Sequence, residues 1–141
     1  MNKELTAQLA EKYPAIFKEL GGDPTKTCMS WEHGGISCGD GWYDLLDKLC
    51  GFCQWHTDKN GYGQVVAEQV KEKFGSLRFY YRIEDTPTMR EHARDGVLEG
   101  AISFAECLSA TICEGCGKPG TMNTKGWMYC ACDECKEKYK K

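Results

Sequence analysis

Four cysteines near the end of the printed sequence constrain this chain more than any other feature. They form two pairs, each with two residues between its cysteines, and fifteen residues separate the pairs. Two intervening residues let one turn present both sulfurs to one ion, and the longer stretch runs out and returns to complete a tetrahedron. The spacing predicts one structural Zn²⁺ site in a C-terminal zinc ribbon. Its predicted ligands are Cys113, Cys116, Cys132 and Cys135.

Two disulfides in a secreted domain are the alternative interpretation of the same cysteines. The first residues lack the charged start, apolar run and small-residue cleavage site of a secretory signal. We therefore expect a reducing, cytoplasmic location, in which the ten cysteines remain thiols. We expect no membrane segment, because no apolar run is long enough to cross a bilayer.

The length of the chain, 141 residues, suits one domain of ordinary size. We predict an α+β core over residues 1–110 and a zinc ribbon over residues 111–141 that packs on it as a single compact unit. The formal net charge is −3. Proteins that bind phosphate groups usually concentrate positive charge on one face, and this chain has no overall positive excess.

Helical spacing of apolar residues predicts several helices. Two short ones cover about residues 3–12 and 14–20, with Pro14 in a first turn where proline is tolerated. A third is capped by Asp40, and a fourth runs from a capping box at Thr88 to about Ser109. The third carries an apolar stripe toward the core, formed by Trp42, Leu45, Leu46, Leu49, Cys50 and Cys53.

Strict alternation of apolar and polar residues over 76–83 predicts a half-buried strand. Residues 64–71 are open to two interpretations. They can pair with that strand as a hairpin across residues 72–75, or form a helix, since Val66, Val70 and Phe74 are four residues apart. The predicted fold class is α+β, a small antiparallel hairpin or sheet packed with several helices and ending in the zinc ribbon.

Four further cysteines offer a possible second metal site. Two of them have metal-ligand spacing on the predicted third helix, although cysteine also serves as a small apolar core residue. Buried reduced thiols are therefore the competing interpretation. The cysteines concerned are Cys28, Cys38, Cys50 and Cys53.

The outward side of the predicted strand carries Arg78, Tyr80 and Arg82. Two arginines around a tyrosine are a possible surface for a partner or for nucleic acid, because aromatic rings stack on bases and cations contact phosphates. The competing interpretation is an ordinary solvated face, in which the arginines pair with Glu68 or Glu84.

No residue pattern indicates catalysis. Four thiolates fill every ligand position of a tetrahedral zinc ion, which leaves none for water or substrate. The three histidines are far apart in the sequence, and only Cys53 with His56 combines a nucleophile and a base at helical spacing. We expect a protein that is not an enzyme, and the sequence identifies no small-molecule substrate.

Three segments carry a resemblance to a known group. They are Cys-Gly-Asp-Gly-Trp-Tyr-Asp-Leu-Leu at 38–46, Gln-Val-Lys-Glu-Lys-Phe-Gly-Ser-Leu-Arg-Phe-Tyr-Tyr at 69–81 and Cys-Glu-Gly-Cys-Gly-Lys-Pro-Gly at 113–120. In these segments the chain resembles small hypothetical proteins of bacteriophages and prophages that end in a zinc ribbon. The resemblance implies an α+β domain in a bacterial host cytoplasm and favours a hairpin at residues 64–71. It implies no catalytic residue.

Two functions follow as expectations. The first is a zinc-stabilised, non-catalytic phage accessory protein that binds a host or defence protein complex, which suits the acidic balance and the many aromatic residues. The second is a zinc-ribbon protein that binds nucleic acid. We expect a protein partner rather than nucleic acid.

Overall fold

The computed structural model describes residues 1–61, 63–84 and 96–140. Over these residues the chain forms three α-helices and two antiparallel two-stranded sheets, which confirms the predicted α+β class. Short 3₁₀ segments join several of these elements. The helices are α1 (Lys3–Lys12), α2 (Tyr43–Asn60) and α3 (Gly96–Ser109), and the strands are β1 (Gln64–Lys73), β2 (Ser76–Glu84), β3 (Thr121–Asn123) and β4 (Tyr129–Ala131).

Residues 64–71, open between helix and strand from the sequence, form a strand. β1 and β2 pair antiparallel, with a bulge between Ala67 and Gln69. Phe74 and Gly75 make the turn between them, both with positive φ, at 54° and 78°. One face of this hairpin is apolar and packs toward the helices; its fully buried side chains include Val65, Val70, Leu77 and Phe79.

The hydrophobic core lies between this face and the three helices. The apolar stripe predicted for α2 is confirmed, although Leu45 is only partly buried. Trp42, just before α2, is fully buried, and its indole N–H donates to the Ile112 carbonyl at 2.9 Å. The fully or nearly buried members of the stripe are Trp42, Leu46, Leu49, Cys50 and Cys53.

The predicted helix over residues 14–20 is wrong in its extent. The chain forms turns there and a 3₁₀ segment at Lys18–Gly21. The Ile16 carbonyl accepts a hydrogen bond from Ala67 N–H, at the bulge of β1, at 2.8 Å. A carbonyl that bonds to a strand edge is not available to a helix, so tertiary pairing overrides the helical spacing.

The sequence predicts that Asp40 caps the helix that follows it, and in the structure it does not. No side chain caps the 3₁₀ segment Asp40–Trp42 that leads into α2. The Asp40 carboxylate instead accepts hydrogen bonds from Asn2, from its main-chain N–H at 2.6 Å and its side-chain amide at 3.0 Å. Asp40 thus joins the start of α1 to the start of α2.

The predicted fourth helix corresponds to α3, whose described part begins at Gly96. The capping box at Thr88 and Glu91, and His92 with it, lie outside the described residues. The apolar stripe is displaced around the helix, because Val97 and Leu108 are exposed. No helix in the described part of the chain is long and apolar enough to span a membrane. The buried stripe of α3 is Leu98, Ile102, Ala105 and Ser109.

Candidate metal centre

A tight turn positions the first cysteine pair directly after α3. Cys113 N–H donates to the Lys118 carbonyl at 2.8 Å, and Gly117 N–H donates to the Cys113 carbonyl at 2.9 Å. Gly117 has φ 79°, a left-handed conformation that glycine adopts without steric cost. These bonds fold residues 113–118 into a loop that turns Cys113 and Cys116 toward one point.

The short sheet brings the second pair back beside the first. Strands β3 and β4 pair antiparallel, and Glu114 N–H donates to the Cys130 carbonyl at 3.0 Å. The chain then turns at once, because the N–H groups of Cys135 and Lys136 both donate to the Cys132 carbonyl. The C-terminal unit, defined as residues 111–140, therefore consists of two cysteine turns joined by a two-stranded sheet.

The four predicted sulfurs come together. The Sγ atoms of Cys113, Cys116, Cys132 and Cys135 all lie within 4.8 Å of one another, and those of Cys116 and Cys132 are 3.6 Å apart. A tetrahedral ion bound to sulfur at about 2.3 Å requires sulfur atoms about 3.8 Å apart. The arrangement suits a single tetrahedral ion, and these four residues could hold one metal.

The cluster favours formation of the first thiolate at Cys113. Burial raises the pKa of this thiol, but hydrogen bonds from the main-chain N–H groups of Cys132, Cys116 and Gly115 outweigh it and lower the pKa to about 7. Hydrogen bonds with the sulfurs of Cys116 and Cys132 raise the pKa of Cys135 to about 12. Four thiols this close cannot all ionise without a cation among them, because like charges oppose one another.

A small apolar cluster surrounds the sulfurs. Cys113 and Cys135 are buried, Cys132 is half-buried and Cys116 is exposed. The rings of Tyr129 and Tyr139 stack beside them, with centroids 5.1 Å apart. Within the described residues, no histidine or carboxylate joins the four thiols in this group.

The cysteine turns rest directly on the loop before α2. Gly41 N–H donates to the Glu114 carbonyl at 2.8 Å, and Gly39 N–H donates to the Glu114 carboxylate at 2.9 Å. A Cβ atom at Gly41 would collide with the Cys113 carbonyl. The two glycines permit this close approach, which joins the C-terminal unit to the buried Trp42.

The structure does not assemble the possible second metal site. Across residues 1–61, 63–84 and 96–140, the four C-terminal cysteines form the only group of three or more potential ligands. Cys28 is exposed, whereas the other three are buried. Burial raises the pKa of Cys38 to about 12 and that of Cys50 well above its usual value, so both remain thiols. The candidates that are not brought together are Cys28, Cys38, Cys50 and Cys53.

Cys130 lies close to the metal centre in sequence but is turned away from it. Its Sγ donates to the Ala110 carbonyl at 3.2 Å, and its side chain is fully buried. Burial raises the pKa of Cys130 to about 11. Cys130 is therefore a core residue of the C-terminal unit, although the sequence alone does not distinguish it from a ligand.

The positive charge of Arg82 is balanced by neighbouring carboxylates. Its guanidinium bonds to Glu84 at 2.6 Å and to Glu19 at 2.8 Å, and Glu68 lies 3.6 Å away. The predicted pairing with Glu68 or Glu84 is thus confirmed for this residue. Arg78 and Tyr80, the other members of the predicted surface, lie nearer the hairpin turn, and among the described residues the Arg78 guanidinium donates to the Ser76 hydroxyl and to the Leu77 carbonyl.

Two aromatic residues were missed as surface features. Neither Phe74, at the hairpin turn, nor Trp127 is among the residues predicted for a surface role. Both are exposed, by 62% and 60%, and they line one groove. A phenylalanine before glycine at a hairpin turn, where asparagine is usual, is a signal that could have identified the first. No protein-family model, curated protein or solved structure matches this chain.

Proposed function

We propose that the protein is a zinc-stabilised, non-catalytic binding protein that recognises another protein. The proposal rests first on the sulfur cluster, in which Cys113 and its three partners lie within 4.8 Å of one another. Four thiolates suit Zn²⁺ in tetrahedral geometry, and a site closed by four protein ligands is typical of structural zinc. In this role the ion would hold the two cysteine turns together and supply no reaction step.

The outer face of α3 supports a protein partner. Its exposed residues include Phe104 at 68%, Val97 at 57% and Leu108 at 38%. The charged residues of α3, Glu99 and Glu106, are half-buried, so the exposed face carries no charge. A contiguous uncharged apolar surface is typical of protein contacts, whereas isolated exposed apolar residues are common everywhere.

The partner that suits this face is a protein with an apolar groove. Phe104 is the central anchor of the α3 face. Near it, no described atom lies within 4 Å of the Cβ position of Gly100, which leaves room for the main chain of a partner. By the resemblance of the three segments, the partner belongs to a host or defence complex in a bacterial cytoplasm. In this proposal four cysteines fill every ligand position of the zinc ion, so the ion has no open position for a catalytic water or a substrate.

Metal analysis tests the zinc site. The purified chain should contain one equivalent of zinc, and Cys113→Ser should lose it and lower the stability of the fold. Metal binding contributes roughly 10–16 kcal/mol of apparent free energy at comparable sites, so the loss should be large. Cys130→Ser is the matched control, because its sulfur bonds to the Ala110 carbonyl. Full zinc content in Cys113→Ser would contradict the ligand assignment.

Partner binding is tested at α3. Proteins captured from bacterial lysate by the wild-type chain should be lost with Phe104→Glu and retained with Phe74→Asn, which alters an exposed aromatic residue elsewhere. The captured protein is then purified and titrated by calorimetry. Loss of an anchoring aromatic residue usually costs 2 kcal/mol or more, so affinity should fall by roughly 30-fold or more. Equal affinity for Phe104→Glu would overturn the assignment of this face.

A further inference from the structure

A groove lies between the hairpin turn and the C-terminal unit. Its volume is about 370 Å³. Two exposed rings line it, that of Phe74 from the hairpin turn and that of Trp127 from the C-terminal unit. A Cβ atom at Gly75 would collide with the Met122 side chain, which shows that the turn rests on the C-terminal unit. The remaining lining residues are Glu72, Lys73, Gly126 and Met128.

Phe74 holds an unfavourable backbone conformation at this groove. It is the only described residue other than glycine with a positive φ, at 54°. Two successive positive φ values define a hairpin turn that favours Asn-Gly, and a bulky residue at the first position is an outlier. The side chain is exposed, so burial in the core does not compensate for the strain. Strain of this kind is typical of binding sites.

The hairpin side next to the groove is basic and aromatic. Lys71 lies opposite Arg78 in the strand register and Lys73 opposite Ser76, so these side chains share the outward face with Tyr80. The Lys71 ammonium lies 6.0 Å from the Tyr80 ring centroid, and that of Lys73 lies 5.4 Å from the Phe74 centroid. We define this surface as the hairpin outer face: Lys71, Lys73, Arg78 and Tyr80.

No carboxylate neutralises this surface within the described chain. Lys71, Lys73 and Arg78 form no ion pair with any described residue, in contrast to Arg82 farther along β2. The nearest acid in sequence, Glu72, accepts a hydrogen bond from Gly75 N–H at 2.7 Å. The three cations therefore form a local positive surface, although the whole chain has a net charge of −3.

We propose that the hairpin outer face and the groove bind a single-stranded nucleic acid. An unpaired base enters the groove and stacks on Phe74 and Trp127, while Lys71, Lys73 and Arg78 contact backbone phosphates. Duplex bases are already stacked on each other and cannot enter. Lys71 and Lys73 are two residues apart, which places them roughly 7 Å apart along β1. This site is separate from α3 and goes beyond the proposed protein binding.

Fluorescence anisotropy with the zinc-loaded full chain tests the proposal. The probes are a labelled 12-nucleotide oligothymidylate, a 12-base-pair duplex and a 12-residue peptide of alternating aspartate and glutamate. The single strand should bind at least tenfold more tightly than the other two. Single strands lose about 0.7 log units per neutralised phosphate per log unit of salt, so three contacts predict roughly 20-fold weaker binding between 50 and 200 mM NaCl.

Variants separate stacking from a loss of folding. Trp127→Ala and Phe74→Asn should each weaken binding by roughly 5- to 150-fold, the range seen when a stacking ring is removed. Phe74→Asn suits the turn, so a folding defect cannot explain its effect. Lys73→Gln should reduce the salt slope by about 0.7. Trp55→Ala, at an exposed tryptophan on α2, is the matched control and should bind as the wild type does.

Three results would overturn the proposal. One is no anisotropy change with oligothymidylate at protein concentrations up to about 100 μM in 50 mM salt, the weak end of non-specific binding. Another is unchanged binding in both Phe74→Asn and Trp127→Ala. The third is equal or tighter binding of the acidic peptide, which would assign the surface to an acidic protein instead.

Discussion

The close approach of the first cysteine turn explains why residue 41 is a glycine. The Cys113 carbonyl and the N–H groups of Cys116 and Gly117 lie where its Cβ atom would be. Main-chain atoms in a hydrogen-bonded turn cannot move aside as the end of a flexible side chain can. The absence of a side chain at Gly41 is therefore a condition for the C-terminal unit to pack against the loop before α2.

Gly41→Ala should destabilise the protein by roughly 2 kcal/mol or more, because an added methyl group in a packed contact forces main-chain shifts. Chemical denaturation of the zinc-loaded protein measures the change. The matched control is Gly21→Ala, since nothing described lies within 4 Å of that Cβ position, and it should stay within about 0.5 kcal/mol of the wild type. Equal stability of the two variants would show that the contact is absent in solution.

At the same scale, the sequence predicts the four sulfurs that converge because short spacing determines their geometry locally. Cys113 and Cys116 lie on one turn, and two residues between them fix where both sulfurs lie. Cys28 and Cys38 lie in a long loop whose path depends on contacts with distant residues, so their spacing predicts no convergence. Cys50 has ligand spacing from Cys53, but the helical period that creates this spacing also directs both into the core.

Among the elements, the hairpin turn combines a poor local sequence with an extensive pairing of strands. β1 and β2 pair over nearly their whole length, and this pairing holds Phe74 in its left-handed conformation. A residue with a Cβ atom loses roughly 1–2 kcal/mol in that conformation, whereas asparagine tolerates it.

Phe74→Asn should therefore stabilise the protein by about 1 kcal/mol while it removes an exposed ring. Thermal unfolding of the zinc-loaded protein measures this as a rise in Tm. Phe104→Asn is the matched control, because Phe104 is similarly exposed but lies within a helix, where phenylalanine and asparagine have similar propensities, so the Tm should change little. A lower Tm for Phe74→Asn would mean that the ring stabilises the turn.

The sequence predicts most of the helices and strands but does not determine which face of each one is buried. Residues 64–71 suit both a helix and a strand, and pairing with β2 decides between them. α3 has more apolar residues than one buried stripe can hold. Periodicity alone therefore places Val97 and Leu108 in the core, whereas both are exposed. Burial depends on which neighbour a face meets, and a single helix does not contain that information.

An ion cluster joins β2 to the segment after α1. Arg82 donates to Glu19, and this bond is the main cause that lowers the pKa of Glu19 below its usual value of 4.5. A carboxylate with a lowered pKa in the folded protein contributes stability above pH 4.5, and this is lost as the pH falls through the folded value.

Glu19→Gln should cost up to about 1 kcal/mol at pH 7, because partly exposed ion pairs are screened by solvent. The difference from the wild type should shrink as the pH falls below 4.5, since the wild-type carboxylate then becomes protonated. Urea denaturation at pH 7, 5 and 3 measures it. Glu11→Gln, which removes an exposed carboxylate from α1, is the control. A difference that stays constant with pH would exclude the charge of Glu19 as its cause.

For the whole molecule, the contacts between the C-terminal unit and the core couple the four-cysteine cluster to the complete fold. Trp42 donates to the Ile112 carbonyl, Gly41 to the Glu114 carbonyl, and the hairpin turn rests on Met122. If the cysteine turns open, these hydrogen bonds and contacts lose their partners. The core would then expose Trp42 and the loop that precedes α2.

Removal of the metal by a chelator should therefore lower the stability of the entire chain in one cooperative step. The Tm should fall by roughly 10 °C or more, since 1 kcal/mol corresponds to about 3–5 °C at this size and even a third of the roughly 10–16 kcal/mol of metal-binding free energy at comparable sites amounts to that. Hydrogen exchange should show residues 39–42 losing protection together with residues 113–135, and added Zn²⁺ should restore both. Loss confined to residues 113–135, with an unchanged core transition, would show two independent units.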